Sequence, residues 1–244
     1  MENKVTTTDT LPKIRLGSSG PMVSRFALGG MTFGAEANEA TAHSLLDVFT
    51  AHGGNFIDTA DNYNQGVSEQ IIGKWGKKRG GFDDLILATK GRFSPPAGSY
   101  GASRRSIVRS VEASLKRLQV DAIDVYIIHG WDKDTELTET LSTLADLVHA
   151  GKILYTAWSN LSGWQLQKVV STARAYGFPI PVSLQPQYSL LERGIEQEVL
   201  PCCIEEGIGI TPWSPLGGGW LTGKYGADIR PTGSTGLGKI QTGV

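Results

Sequence analysis

The chain has 244 residues, 40% of them hydrophobic and 19% charged, with a formal net charge of −1. That length suits one α/β barrel or two small domains, and the composition can build a sizeable core, which excludes a disordered chain. No basic stripe accompanies the near-zero charge, so neither nucleic acid nor an anionic membrane is expected as a partner.

The only cysteines, Cys202 and Cys203, are sequence neighbours, and no CxxC or Cys/His cluster exists. Reduced structural thiols, no metal site and an intracellular, cytoplasmic protein follow as expectations. Residues 1–12 are polar and lack the apolar run of a signal peptide, and no stretch is long enough to span a membrane. They read as a flexible tail ahead of a single barrel domain over 13–226, with an irregular tail over 227–244.

In chain order, residues 13–16 and 22–23 read as a hairpin around Gly17-Ser18-Ser19-Gly20. Residues 25–34 form an apolar run ending in glycines, a buried strand that opens into a loop. Residues 39–52 carry Leu45, Leu46, Val48 and Phe49 at helical spacing, and His52-Gly53-Gly54 stops that helix. Phe56-Ile57 then reads as a short buried strand ending at Asp58, with Tyr63 on the loop beyond. A second helix begins at 68–75, with Ser68 as its cap.

From there strand and helix alternate: 85–90 then 103–118, 125–129 then 137–150, 154–160 then 163–176, 182–185 then 195–206, and finally a strand over 208–213. Seven strands at this spacing predict a parallel sheet with helices outside it. No GxGxxG follows any strand, which counts against a doubly wound dinucleotide fold and for a TIM-type (β/α)8 barrel. After residues 220–225 the chain is glycine-rich to Val244, with no further strand or helix, so the eighth βα unit is expected to be lacking.

Four strand ends present Asp58, Lys90, His129 and the pair Ser159-Asn160. In a parallel barrel all these ends meet at one mouth. A lone buried Lys90 is costly and needs an anion, for which Asp58 is the candidate. Taken singly, each residue has a bland explanation: a structural ion pair, a satisfied core histidine, a strand cap. Taken together, titratable groups at equivalent positions of a barrel are hard to ascribe to packing.

Five segments are more specific: residues 53–60 (Gly-Gly-Asn-Phe-Ile-Asp-Thr-Ala) with Tyr63, Ala88-Thr89-Lys90, residues 125–132 ending His129-Gly130-Trp131-Asp132, Ser159-Asn160, and residues 211–219 from Thr211-Pro212-Trp213 to Gly217-Gly218-Gly219. On them the chain resembles the aldo-keto reductase family, in its aryl-alcohol-dehydrogenase-like or potassium-channel-β-subunit-like subgroup. The resemblance implies reduction of a small-molecule aldehyde or ketone with NADP(H), NAD(H) remaining open, by a tetrad of Asp58, Tyr63, Lys90 and His129. In that scheme Tyr63 is the general acid, and a cation at about 4 Å is worth about 4 kcal/mol at an effective dielectric of about 20, enough for Lys90 to lower its pKa if Asp58 does not cancel the field. His129 would hold the carbonyl oxygen.

The resemblance also implies a cofactor face. Gly30, Met31 and Thr32 would lie near the nicotinamide ribose, with Asp58 adjoining. Ser159, Asn160 and Gln185 would hold the carboxamide, and Trp213 would stack on the ring. Ser214, Pro215, Leu216, Gly218 and Lys224 would wrap the pyrophosphate. Phe93, Trp131 and Trp220 are candidates for an apolar substrate pocket, or else packing residues. In the family, the residues that grip the adenosine 2′-phosphate follow the eighth strand, the unit expected to be lacking here. Two expectations follow: self-association through an open barrel edge, and, as an alternative function, a reductase-like binding or regulatory protein with impaired cofactor binding. A phosphate-binding barrel enzyme is a third reading that leaves Tyr63 and His129 without a purpose.

Overall fold

Two apolar layers organise the chain, one inside a curled sheet and one between that sheet and its helices. The computed structural model describes residues 10–94 and 99–225. A hairpin comes first, β1 (Lys13–Arg15) antiparallel to β2 (Met22–Ser24). Then follow β3 (Leu28–Gly29), α1 (Glu39–Ala51), β4 (Phe56–Asp58), α2 (Val67–Arg79) and β5 (Ile86–Gly91). A small hairpin, β6 (Phe93–Ser94) with β7 (Ser99–Tyr100), leads into α3 (Arg104–Leu118). The alternation closes with β8 (Ile123–Ile128), α4 (Leu137–His149), β9 (Ile153–Ser159), α5 (Gly163–Tyr176), β10 (Ser183–Gln185), α6 (Val199–Glu206) and β11 (Gly209–Ile210).

The main sheet has seven strands in the order β11-β10-β9-β8-β5-β4-β3, every pair parallel. It is the expected TIM-type barrel without its last unit among the described residues. The expected tails over 1–12 and 227–244 lie outside the described residues except for residues 10–12, where the Leu11 N–H donates to the His52 carbonyl at 2.9 Å.

Local chemistry sets the helix ends. The Asn38 side chain accepts from the Thr41 N–H, Ser103 accepts from the Ser106 N–H, and Ser162 forms a capping box with Gln165. Ser68 is not a cap: Gly66 precedes α2, and Ser68 is buried in the first turn, where its hydroxyl donates to the Gly30 carbonyl at 2.7 Å. Helix α6 starts at Val199, four residues later than expected, after a short turn at Gly194–Glu196. β11 is only two residues long, and Trp213 joins the sheet through a single bridge to Gln187.

Strand periodicity of two then sorts side chains into the layers. Phe56, Ala88, Val125, Ile127 and Ala157 point inward, where Leu16 and Val23 of the first hairpin plug the bottom. Ile57, Leu87, Tyr126, Ile128, Trp158 and Leu184 point outward against Leu46, Ile72, Val111, Leu144 and Val170 of the helices. Each such fully buried aliphatic side chain contributes about 1.5–3 kcal/mol. Gly73 permits the close approach of α2 to α3, since a Cβ there would meet the Leu118 carbonyl oxygen at 2.8 Å.

Candidate active site

The inward alternation continues past the apolar residues to the upper rim. After Phe56 the next inward position is Asp58; after Ala88 it is Lys90; after Val125 and Ile127 it is His129; after Ala157 it is Ser159. The strands are in register, with Asp58 beside Ala88 and Lys90 beside Ile127, so these side chains meet. Tyr63 comes from the short turn after β4, whose Asn64 and Gln65 have φ of +48° and +57°.

Lys90 is the hub. Its side chain is fully buried, and Nζ donates to Asp58 Oδ2 at 2.7 Å, to the Thr59 carbonyl at 2.8 Å and to the Tyr63 hydroxyl at 3.1 Å. The other Asp58 oxygen accepts from Gln185 Nε2 at 2.9 Å, which ties β4 to β10 across the barrel. The His129 ring stands edge-on to Tyr63 at 6.1 Å and to Phe93 at 5.3 Å between centroids.

Burial by itself would push the Lys90 ammonium down, but Asp58 and Tyr63 outweigh it and hold the group above its ordinary value. Burial pushes the Tyr63 phenol up; Lys90 pulls it back, Asp58 opposes that pull, and the net direction is upward. The expected lowering by Lys90 is therefore outweighed, because desolvation and the Asp58 charge act together. His129 is pressed down to about 3 by burial and by the charges of Lys90 and Arg92, so it is neutral at physiological pH.

The rim residues sort less evenly. Asn160 Oδ1 accepts from the Trp213 indole N–H at 2.8 Å, and Asn160 Nδ2 donates to the His129 carbonyl at 3.3 Å. Ser159 is buried, its hydroxyl donating to the Gln185 carbonyl at 2.7 Å. Gly30 adjoins Asp58, its N–H donating to the Asp58 carbonyl at 2.7 Å, and Met31 and Thr32 are exposed beside it. Ser214 has a φ of +57° and opens a turn in which Gly217, Gly218 and Gly219 are also left-handed; Pro215, Leu216 and Lys224 are exposed there. Among the described residues, five of the six non-glycine residues with positive φ, Asn64, Gln65, Arg92, Asn160 and Ser214, follow strands at this rim, and the sixth, Gln119, caps a helix. Such strain, about 1–3 kcal/mol per residue, concentrates at working sites.

Phe93 reaches the site. Trp131 instead packs on Trp164 and Trp158, with ring centroids 5.6 and 6.5 Å apart, in the layer under the helices. Trp220 packs against Tyr225 at 5.3 Å. Sequence reasoning missed the Gln185–Asp58 bond, Arg92, and two polar clusters behind the rim. In one, buried Glu69 accepts from Thr89 at 2.5 Å and from Arg117 at 2.6 Å. In the other, Ser110 donates to Asp61 at 2.6 Å and Tyr126 donates to Ser110 at 3.0 Å. Only the acidic Asp61 and Glu69 flanking Tyr63 hinted at them.

The exposed Trp213 indole and the Asn160 amide bonded to it fit a flat ring bearing a carboxamide. No group of three metal-ligating side chains occurs among the described residues.

Residues 25–237 match the family model described as the Aldo/keto reductase family. The chain is 38% identical over 223 residues to norsolorinic acid reductase B of Dothistroma septosporum, covering 85% of this chain and 57% of that protein. It is 38% identical over 232 residues to an aryl-alcohol dehydrogenase of Pestalotiopsis microspora (86% and 60%). It is 35% identical over 223 residues to a probable voltage-gated potassium channel subunit beta of Arabidopsis thaliana (90% and 68%). The chain thus spans roughly three fifths to two thirds of the length of these relatives.

Proposed function

The chain belongs to the aldo/keto reductase family, and from that premise we propose that it is a nicotinamide-dependent oxidoreductase reducing aldehydes or ketones to alcohols. The observation that carries this reading is the convergence of Lys90 Nζ on Asp58 at 2.7 Å and Tyr63 at 3.1 Å, beside a neutral imidazole.

A nicotinamide cofactor bound at this face would supply the hydride that the carbonyl carbon needs. Tyr63 gives the proton to the carbonyl oxygen. Its raised pKa keeps the phenol protonated through neutral pH, the form that reduction needs. Lys90 stabilises the phenolate left behind, and its bonds to Asp58 and the Thr59 carbonyl hold the ammonium in place beforehand. His129 hydrogen-bonds the carbonyl oxygen and orients it. Its Nδ1 is buried with no partner among the described residues, and orphaned donors are rarer than orphaned acceptors, so we assign the proton to Nε2.

Gly30, Met31, Thr32, Asn160, Gln185 and Trp213 are assigned to the nicotinamide end, with Ser159 behind them; Ser214, Pro215, Leu216, Gly218 and Lys224 are assigned to the pyrophosphate. The strained turn and the exposed indole support that assignment. A cytoplasmic location and a small-molecule carbonyl substrate belong to the same reading. The test is oxidation of NADPH, with NADH as the second arm, by an aromatic aldehyde. The wild type should turn over and Tyr63→Phe should lose about 10²–10⁴-fold; equal rates would overturn the reading.

The resemblance to a channel subunit favours a second reading, a reductase-like binding or regulatory protein. Saturable NADPH binding without turnover of several carbonyl compounds would establish it over the first.

A further inference from the structure

Arg92 has a conformation that its neighbours do not let it escape. It separates the strand ending in Lys90-Gly91 from Phe93, and its φ is +133°, a region that side chains rarely adopt. The backbone is pinned on both sides: the His129 N–H donates to the Gly91 carbonyl at 3.0 Å, and the Gly101 N–H to the Arg92 carbonyl at 2.8 Å. The guanidinium lies over the Phe93 ring at 4.4 Å and 6.0 Å from the Tyr100 ring. Phe93 in turn stands 5.3 Å from the His129 imidazole. A strained backbone therefore holds a cation at the mouth, next to the group assigned to the carbonyl oxygen.

None of the ion pairs among the described residues includes Arg92. Its Nε is buried without a hydrogen-bond partner among those residues. The nearby acid, Asp132, has both oxygens engaged elsewhere: Oδ2 accepts from the Ala102 N–H at 2.7 Å and the Thr135 hydroxyl at 2.8 Å, and Oδ1 from the Asp134 N–H at 3.1 Å. The Arg92 charge helps hold the Asp132 carboxyl down, but no hydrogen bond joins the two among the described residues, so the planar guanidinium keeps donors whose geometry matches a carboxylate. The Phe93 face beside it suits an arene carrying that carboxylate.

We infer that Arg92 is an anion-recognition residue of the substrate site, and that the preferred substrates are carbonyl compounds bearing a carboxylate, aromatic ones above all. The fate of the carbonyl rests on the reductase reading; the binding preference does not.

Calorimetric titration of the full chain, without cofactor, with 4-formylbenzoate and with its methyl ester reads the inference directly. The acid should bind the wild type about tenfold or more tightly than the ester. That preference should shrink as salt rises from about 0.05 M to about 0.5 M. Arg92→Gln should bring the two affinities together. Arg92→Gly, which relieves the backbone strain and so keeps the fold, should do the same, and Arg92→Lys should retain only part of the preference. Equal affinities in the wild type, no saturable binding of the acid, or a loss in Arg92→Gly that falls equally on acid and ester would each overturn the inference. NADPH oxidation with a neutral aldehyde, 4-nitrobenzaldehyde, is read separately: its absence alongside an Arg92-dependent acid preference would sink the reductase reading alone.

Discussion

Two buried ion pairs occupy opposite faces of the same strands. On the inner face Lys90 meets Asp58 at 2.7 Å; on the outer face Arg117 meets Glu69 at 2.6 Å, with Thr89, the residue before Lys90, bonded to the same carboxylate. Each pair has one member with a fully buried side chain, Lys90 in the first and Glu69 in the second. They differ in what else they touch. Glu69 is enclosed by Thr89 of β5 and Arg117 of α3, which brace α2 against both. Lys90 has one N–H directed at a phenol beside the mouth. A buried salt bridge is thus no sign of function by itself; the face of the strand, and whether a proton-carrying group adjoins the pair, makes the difference.

Substitutions should separate the two faces. On the proposed reading the largest effect is expected from Lys90→Met, which would remove about 4 kcal/mol of stabilisation from a developing Tyr63 phenolate and so cost about three orders of magnitude in aldehyde reduction. A rate within tenfold of wild type would break the division. Arg117→Met strands the Glu69 carboxylate in the core; urea titration should show about 3–5 kcal/mol lost, while turnover per folded molecule stays within about twofold. If that turnover falls as far as in Lys90→Met, the outer pair is not merely structural.

The pH dependence of stability sharpens the same contrast. His129, held down to about 3, contributes stability above its ordinary value of 6.5 that is lost as pH falls from there towards 3. Asp61, pushed up to about 6 by burial, works the other way: its contribution is complete below 3.8 and is lost as pH rises through 6. Asp61→Asn should therefore make stability climb more steeply between about pH 4 and 6, by up to about 1.4 kcal/mol per pH unit. An unchanged slope in urea titrations would show that Asp61 does not titrate in that window. The smallest effect belongs to Ser103→Ala, which removes the α3 cap on neither face; a loss of about 1 kcal/mol with unaltered turnover is expected by thermal unfolding and initial rates.

Much of the fold was legible because its strands end in residues that contradict a core. Phe56-Ile57 followed by Asp58, and Ala88 followed two residues later by Lys90, mark both the inward face and its upper limit. The β6–β7 pairing left no signal, since two-residue strands have no periodicity to read. Ser68 reads as a cap because hydroxyls favour helix starts, yet Gly66 supplies the turn, and the Gly30 carbonyl and the Thr59 hydroxyl, just past β3 and β4, claim the Ser68 hydroxyl. Trp131 follows His129 closely in sequence but packs among the shell aromatics, because chain proximity says nothing of the face on which a loop residue lands.

By itself the sequence determined the order of strands and helices and which polar residues stand at strand ends, for both are written in local periodicity and in breaks from it. The tertiary structure decided what those residues do to one another. Curling the sheet brings Gln185 within 2.9 Å of Asp58 from 127 residues away, and burying Tyr63 beside both a cation and an anion sets its proton affinity by a balance of desolvation and charge. Neither distance nor dielectric is local to the chain, so neither has a signature in it.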